Sequence, residues 1–212
     1  MATLLHSYWR SGTSYRTRIA LALKGLDYSQ ITHDLRAGEQ RSPSYLALNP
    51  QGLVPVLETP EGILMQSGAI IEWLEERYPE PPLLPQGAHA RAIVRGMASL
   101  IGCDIHPLNN IRVLNHLRTN LAADEEAVTA WIAHWIELGF KALEAQLATF
   151  SGRFCYGDKI GLADCYLVPQ LYSAKRFGVS LKPYPNVLRV CDDAERDPGV
   201  ASAHPDRQPD AD

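Results

Sequence analysis

The chain has no CxxC pair, no HExxH and no paired cysteine–histidine spacing. Its four cysteines, Cys103, Cys155, Cys165 and Cys191, are too few and too scattered for a disulfide framework at this length, and they read as buried thiols. The scattered histidines give a metal site no support. No apolar run is long enough to cross a bilayer, and no N-terminal stretch joins basic residues to a long apolar run as a signal peptide does. A net charge of −4 supplies no field favouring nucleic acid or an anionic membrane. The chain therefore reads as an ordinary globular protein with a cytoplasmic address. Its 212 residues suit one domain or two small ones, with length for a real core.

What is present begins with a short β-rich segment, Ala2 to Tyr8, leading into Trp9-Arg10-Ser11-Gly12-Thr13-Ser14. Apolar residues at Tyr15, Ile19, Ala22, Leu23 and Leu26 then follow one face of a helix. A strand thus feeds a loop of hydroxyl residues and glycine that opens a helix. The first helical turn has unpaired N–H groups and a partial positive charge, so an anion such as a thiolate fits there. Read alone, Ser11, Thr13 or Ser14 is simply an N-cap.

Asp27 to His33 reads as a second strand, parallel to the first. Val54 to Thr59 and Gly62 to Met65 form a hairpin around a Thr59-Pro60-Glu61-Gly62 type I turn. Ser67 then caps a helix with Ile70, Ile71, Leu74 and Tyr78 on one face, and Gln66 adds an amide beside it. That second helix start can bind a carboxylate. Pro55 is either an ordinary trans edge proline or a cis proline that leaves the Val54 backbone free to pair with an extended ligand. The order β-α-β then β-β-α is thioredoxin-like, with Ser-Gly-Thr-Ser where disulfide exchange would need CxxC.

Residues 79–87, rich in proline, form a linker. Beyond it the pattern is helical. Ala88 to Leu117 is one stretch that Pro107 kinks or breaks. Asp124 caps a helix in which Trp131, Trp135, Leu138, Leu143 and Leu147 face inward. Leu162 to Lys175 and Pro185 to Glu195 are further helices, and the tail from Pro198 drapes or frays. Asp164, three residues after Gly161, reads as structural. A polar cluster of Asp104, His106, Asn109, Asn110 and Arg112 surrounds Pro107. It either satisfies the kinked backbone or lines a ligand cleft.

These blocks carry a family. Trp9 to Leu21, Ala47 to Gln51, Leu53-Val54-Pro55, Gln66-Ser67, Ala69 to Glu75, Cys103 to Asn110, Ala163-Asp164, Leu167 to Gln170 and Gln208-Pro209-Asp210 resemble the zeta class of the glutathione transferases. That class contains the maleylacetoacetate and maleylpyruvate isomerases. Its usual Ser-Ser-Cys motif is here Ser11-Gly12-Thr13, with Tyr15 at the place of a tryptophan. Loss of the cysteine leaves the glutathione sulfur as the attacking atom.

The resemblance implies the glutathione transferase fold: an α/β N-terminal thioredoxin-like domain over residues 1–80 plus an all-α C-terminal domain over 88–212. It implies glutathione as cofactor, lying along the first domain. Gln66 and Ser67 would take its γ-glutamyl carboxylate, Val54 and Pro55 its cysteinyl backbone, and Gln40 its glycyl end. His106 and Asn110 would approach it from the helical domain. Ser11 or Thr13 would face the sulfur. A free thiol ionises near ~8.5, and lowering that hundredfold costs roughly 2.7 kcal/mol, within reach of one or two charge-assisted hydrogen bonds. The substrate would be a maleyl diketo acid, a small dicarboxylate, turned from cis to trans. Arg10 would hold one carboxylate and Arg112 or Arg176 the other, because the guanidinium fork matches a carboxylate. Arg16 and Arg18 read as partners of nearby acids. A homodimer is implied, with no nucleic-acid or membrane partner. The alternative within the same fold is a general transferase that consumes glutathione in conjugation or acts on α-halo acids. A further one is a non-enzymatic interaction module.

Overall fold

A computed structural model describes residues 3–212, so Ala2, the expected start of the first strand, lies outside the described residues. The chain forms two compact units. The first takes the residues up to Leu83 together with Asp197–Asp212, and the second takes Leu84–Arg196. The mixed α/β and all-helical classes stand as the sequence implies.

In the first unit the strands are β1 (Leu4–Ser7), β2 (Ser29–Thr32), β3 (Val56–Thr59) and β4 (Gly62–Met65). They lie in the order β2-β1-β3-β4, with β1 parallel to β2 and antiparallel to β3, and β3 antiparallel to β4. Helix α1 (Gly12–Leu23) makes the crossover from β1 to β2, and a short α2 (Pro43–Leu48) precedes β3. Helix α3 (Ser67–Arg77) follows β4. Helices α1 and α3 pack together, and Leu5, Tyr15, Ile19, Leu57, Ile70 and Leu74 close the core.

The interior of this unit is also heavily polar. Arg18 is fully buried on α1. It donates to the Trp9 carbonyl at 2.9 Å, the Ala203 carbonyl at 3.1 Å and the Ser7 hydroxyl at 3.1 Å. Main-chain carbonyls at the end of β1 and in the tail are among its acceptors. Lys24 is buried too, its Nζ donating to Glu75 Oε2 at 2.7 Å and to the Tyr78 and Pro81 carbonyls at 2.6 and 2.8 Å.

The tail corrects the expected 88–212 domain. Residues after Asp197 belong to the first unit and neither drape nor fray. Asp197 caps a short helix, α9 (Pro198–Ser202), accepting from Gly199 N–H at 2.8 Å. That helix packs on α1, and Ala211 packs against the Tyr8, Trp9, Tyr45 and Val54 cluster. A polar, proline-rich composition masked these long-range ties.

The second unit holds α4 (Ala88–Ser99), a π-helical turn (Leu100–Ile105), a 3-10 turn (Pro107–Asn109) and α5 (Ile111–Asn120). Then come α6 (Glu125–Phe150), α7 (Leu162–Arg176) and α8 (Pro185–Glu195). The expected break at Pro107 is thus a whole irregular stretch. His106 N–H reaches back five residues to the Ile101 carbonyl at 2.9 Å. Asp124 caps α6, accepting from Ala127 N–H at 2.8 Å. The buried stripe of α6 is Val128, Ile132, Ile136, Phe140, Leu143 and Leu147. Leu143 and Leu147 face inward as expected. Leu138 is instead 54% exposed, and Trp131 and Trp135 are half-buried at the stripe's edge. Trp131 donates its indole N–H to the Leu108 carbonyl at 2.9 Å. Gly139 lets α6 approach the π turn, since a Cβ there would lie 2.2 Å from Ile105 Cδ1. Helices α7 and α8 pack together, α7 also on α4 and α8 also on α6. Cys155, Cys165 and Cys191 are buried as expected, but Cys103 is exposed on the π turn. No helix among the described residues is long and apolar enough to cross a membrane.

Candidate active site

β1 ends in a tight turn over Tyr8 to Ser11, closed by Ser11 N–H donating to the Tyr8 carbonyl at 3.0 Å. Ser11 is the N-cap of α1, its Oγ accepting from Ser14 N–H at 3.3 Å. Thr13 donates its hydroxyl proton to the Val54 carbonyl at 2.9 Å, which ties the helix start to the loop before β3. Ser11 Oγ and Thr13 Oγ1 are 2.9 Å apart. A hydroxyl has one proton. Thr13 has spent its proton on Val54, so the proton between the two oxygens belongs to Ser11. Ser11 therefore donates to Thr13 here, and its O–H is the one that can be redirected to a ligand, since Thr13 keeps its bond to Val54 either way.

The Val54–Pro55 peptide is cis. The β3 ladder begins at Val56, so the Val54 peptide lies outside it. Tyr45 Oη and Asn49 Nδ2 both donate to the Leu53 carbonyl at 2.7 Å and fix this loop from behind. Burial pushes the Tyr45 phenol up, which keeps it a donor. Val56 pairs with Met65, so Gln66 and Ser67 emerge beside the loop. Gln66 has a φ of 70° and donates to Gln51 Oε1 at 2.5 Å. Ser67 was expected as the cap of α3. It is instead the first helical residue, with Gln66 in the cap position making no side-chain cap bond. Its hydroxyl-bearing side chain is buried. Gln40 is buried on a 3-10 turn, its Oε1 without a hydrogen-bond partner, and its carbonyl lies 3.1 Å from where a Cβ on Gly52 would be.

Ser11, Thr13, Val54, Pro55, Gln66 and Ser67 thus meet at one end of the sheet, where α1 and α3 both begin. Gln40 sits behind the same loop. Arg10 is half-buried in the turn, its guanidinium carbon 4.9 Å from the Trp9 ring centre. One contact has no local signature: Trp9 N–H donates to Asp210 Oδ2 at 2.9 Å, across 201 positions of sequence.

The remaining predicted residues lie in the second unit. His106 is half-buried between the π turn and Pro107. Asn110 caps α5, its Oδ1 accepting from Arg112 N–H at 3.1 Å. Arg112 is exposed in the first turn of α5. Arg176 ends α7, exposed, its guanidinium carbon 4.3 Å from the Phe177 ring centre. Asp164 is structural as read. Its two oxygens accept from Gly161 N–H and Cys155 N–H, each at 2.9 Å, and burial pushes its carboxyl up. No group of three histidine, cysteine, aspartate or glutamate side chains that could hold a metal occurs among the described residues.

Residues 5–82 match the N-terminal domain of the glutathione S-transferases, and residues 125–193 match the C-terminal domain. The chain is 56% identical to a maleylacetoacetate isomerase of Pseudomonas aeruginosa over 209 residues, 97% of each chain. A solved holo structure of a maleylpyruvate isomerase, described as a bacterial zeta-class glutathione S-transferase, superposes with a TM-score of 0.97 at 50% identity, over 99% of this chain and 100% of that one. A maleylacetoacetate isomerase from Anaeromyxobacter dehalogenans 2CP-1, solved with GSH bound in its active site, superposes at 0.91 with 46% identity, over 100% of this chain and 98% of that one.

Proposed function

The chain belongs to the glutathione S-transferase family, in its zeta class, and from that premise we propose that it is a glutathione-dependent cis–trans isomerase of maleyl diketo acids. Maleylacetoacetate and maleylpyruvate, the two substrates named for its relatives, are the candidates. The observation that carries the reading is the proton assignment at the start of α1. The Ser11 proton lies on Thr13 and can turn to a ligand beside the Val54–Pro55 loop without breaking the Thr13–Val54 bond.

The donor set fits glutathione. A buried Ser67 at the start of α3, with the unpaired N–H groups of that first turn, suits a carboxylate. The Val54 peptide outside the ladder suits an extended backbone. The side-chain amide N–H of Gln40 suits the glycyl carboxylate, as the family resemblance assigns it. When bound, glutathione supplies a sulfur that adds reversibly to the cis double bond, frees it to rotate, and leaves regenerated.

The chain's own residues do the rest. Ser11 donates to the sulfur anion and, with the helix start behind it, favours the ionised form at neutral pH. Thr13 fixes Ser11 through Val54. Arg10 takes one substrate carboxylate, and Arg112 or Arg176 the other. His106 and Asn110 serve glutathione. These last assignments are supported by the family resemblance. A homodimer in the cytoplasm completes the reading on the same support.

The test is a progress curve on each maleyl diketo acid with glutathione at a small fraction of the substrate concentration. Full conversion to the trans acid with the thiol titre unchanged is expected. Stoichiometric loss of thiol would instead identify a conjugating transferase, and turnover without glutathione would reject the reading outright.

A further inference from the structure

We propose that Asp210, near the C-terminal end of the chain, is a positioning residue for the reaction. It would hold the turn that carries Arg10 and Ser11. The inference rests on the isomerase reading above.

The turn over Tyr8 to Ser11 uses the Ser11 N–H and the Tyr8 carbonyl to close itself. In such a turn the N–H of the second residue points away from the closing bond and needs an outside acceptor. Here that residue is Trp9, it is buried, and its N–H donates to Asp210 Oδ2 at 2.9 Å. The Trp9 carbonyl accepts from Arg18 at 2.9 Å, and Arg18 in turn donates to the Ala203 carbonyl at 3.1 Å. Both ends of the Trp9 main chain are therefore fixed, one directly by the tail and the other through Arg18 to the tail.

The next two residues are Arg10, assigned to substrate, and Ser11, assigned to sulfur. Rotation of the Trp9 peptide would swing the Arg10 guanidinium and tilt the Ser11 hydroxyl away from the line set by Thr13 and Ser14. A carboxylate suits this task because a charged acceptor makes the shorter, stronger bond to a peptide N–H. Asp212 provides a contrast. It pairs with Arg36 on the surface, where Asp210 takes the Trp9 N–H.

The experiment compares Asp210→Ala, Asp210→Asn and Asp212→Ala in the full chain. It measures kcat, KM for glutathione, and the pH titration of the bound thiol by its ultraviolet thiolate absorbance. For Asp210→Ala we expect kcat about tenfold lower and the bound-thiol titration moved to higher pH. Asp210→Asn keeps an acceptor oxygen and should restore most of both. Asp212→Ala should match wild type. Wild-type kcat and titration in Asp210→Ala would overturn the proposal, as would an equal loss in Asp212→Ala. Should Asp210→Ala not fold, Asp210→Glu decides. It keeps the charge but displaces the oxygen by one methylene, so a fall in kcat of about threefold or more supports the proposal and an unchanged kcat overturns it. If wild type itself fails to bind glutathione, the isomerase reading falls first, which separates the two failures.

Discussion

The two units solve the problem of an interior in opposite ways. Every buried polar or charged side chain among the described residues lies in the first unit, except Asp164 and Gln170. The second unit is packed from Ile101, Ile132, Ile136, Phe140, Leu171 and Val187, with one carboxylate spent on capping a helix. The first unit buries Arg18, Lys24, Glu75, Ser14, Gln40 and Ser67. Apolar packing is tolerant and non-directional. A polar interior is directional, and each member fixes the angle of another. A polar interior therefore suits the unit that must aim a hydroxyl at a sulfur.

Four substitutions at three places would break or sharpen that contrast. The largest effect is expected at Arg18. Arg18→Met keeps much of the volume but strands the Trp9 and Ala203 carbonyls, and should cost about 3–5 kcal/mol in denaturant unfolding. A neutral result would mean that the polar interior of the first unit is ornamental. Next comes the pair at the start of α1. Ser11→Ala should lower kcat about 100-fold, near 2.7 kcal/mol, while costing only about 1 kcal/mol of stability for the lost cap. Thr13→Val should cost less in rate, since Thr13 acts through Ser11. Steady-state kinetics on both variants would show the reverse order if Thr13 were the sulfur's donor.

The smallest effect concerns His33. It shares a hydrogen bond of 2.9 Å with His6, whose other nitrogen lies 2.7 Å from Glu58 Oε1, and it stands edge-on to Tyr45. Burial first, and the neighbouring His6 second, hold its imidazole below the usual histidine range, against a weaker opposing pull from Glu39. The unfolded chain then binds more protons than the folded one just below the ordinary histidine value of about 6.5. Stability present at higher pH should decline as pH falls from there toward the lowered folded value. Melting temperatures across this window should flatten in His33→Gln.

Much of this was legible in the sequence because it is local. The hydroxyl loop before Tyr15, the Thr59 to Gly62 turn, the Asp124 cap and the α8 limits, Pro185 and Glu195, all announce themselves within a few residues. The residues Ser11, Thr13, Val54, Pro55, Gln66 and Ser67 were readable as a set from the family pattern, and the sheet register explains their convergence. Three things were not legible. The face of α6 at Leu138 is hidden from the sequence, because tryptophans at the stripe's edge imitate core residues and one of them is held there by the Leu108 carbonyl. The direction of the proton between Ser11 and Thr13 depends on an oxygen forty-one positions away. The pairing of Trp9 with Asp210 has no periodicity to betray it, since the two share nothing but the folded state.

The division of the chain has a consequence in time. The first unit is assembled from the earliest residues and from Asp197–Asp212, while everything in the second unit lies between them. During synthesis the ribosome makes the whole helical unit before it delivers Asp210 and Ala203, the late acceptors for the Trp9 N–H and for one Arg18 donor. The turn over Tyr8 to Ser11 therefore lacks its acceptor for the Trp9 N–H until residues 197–212 emerge.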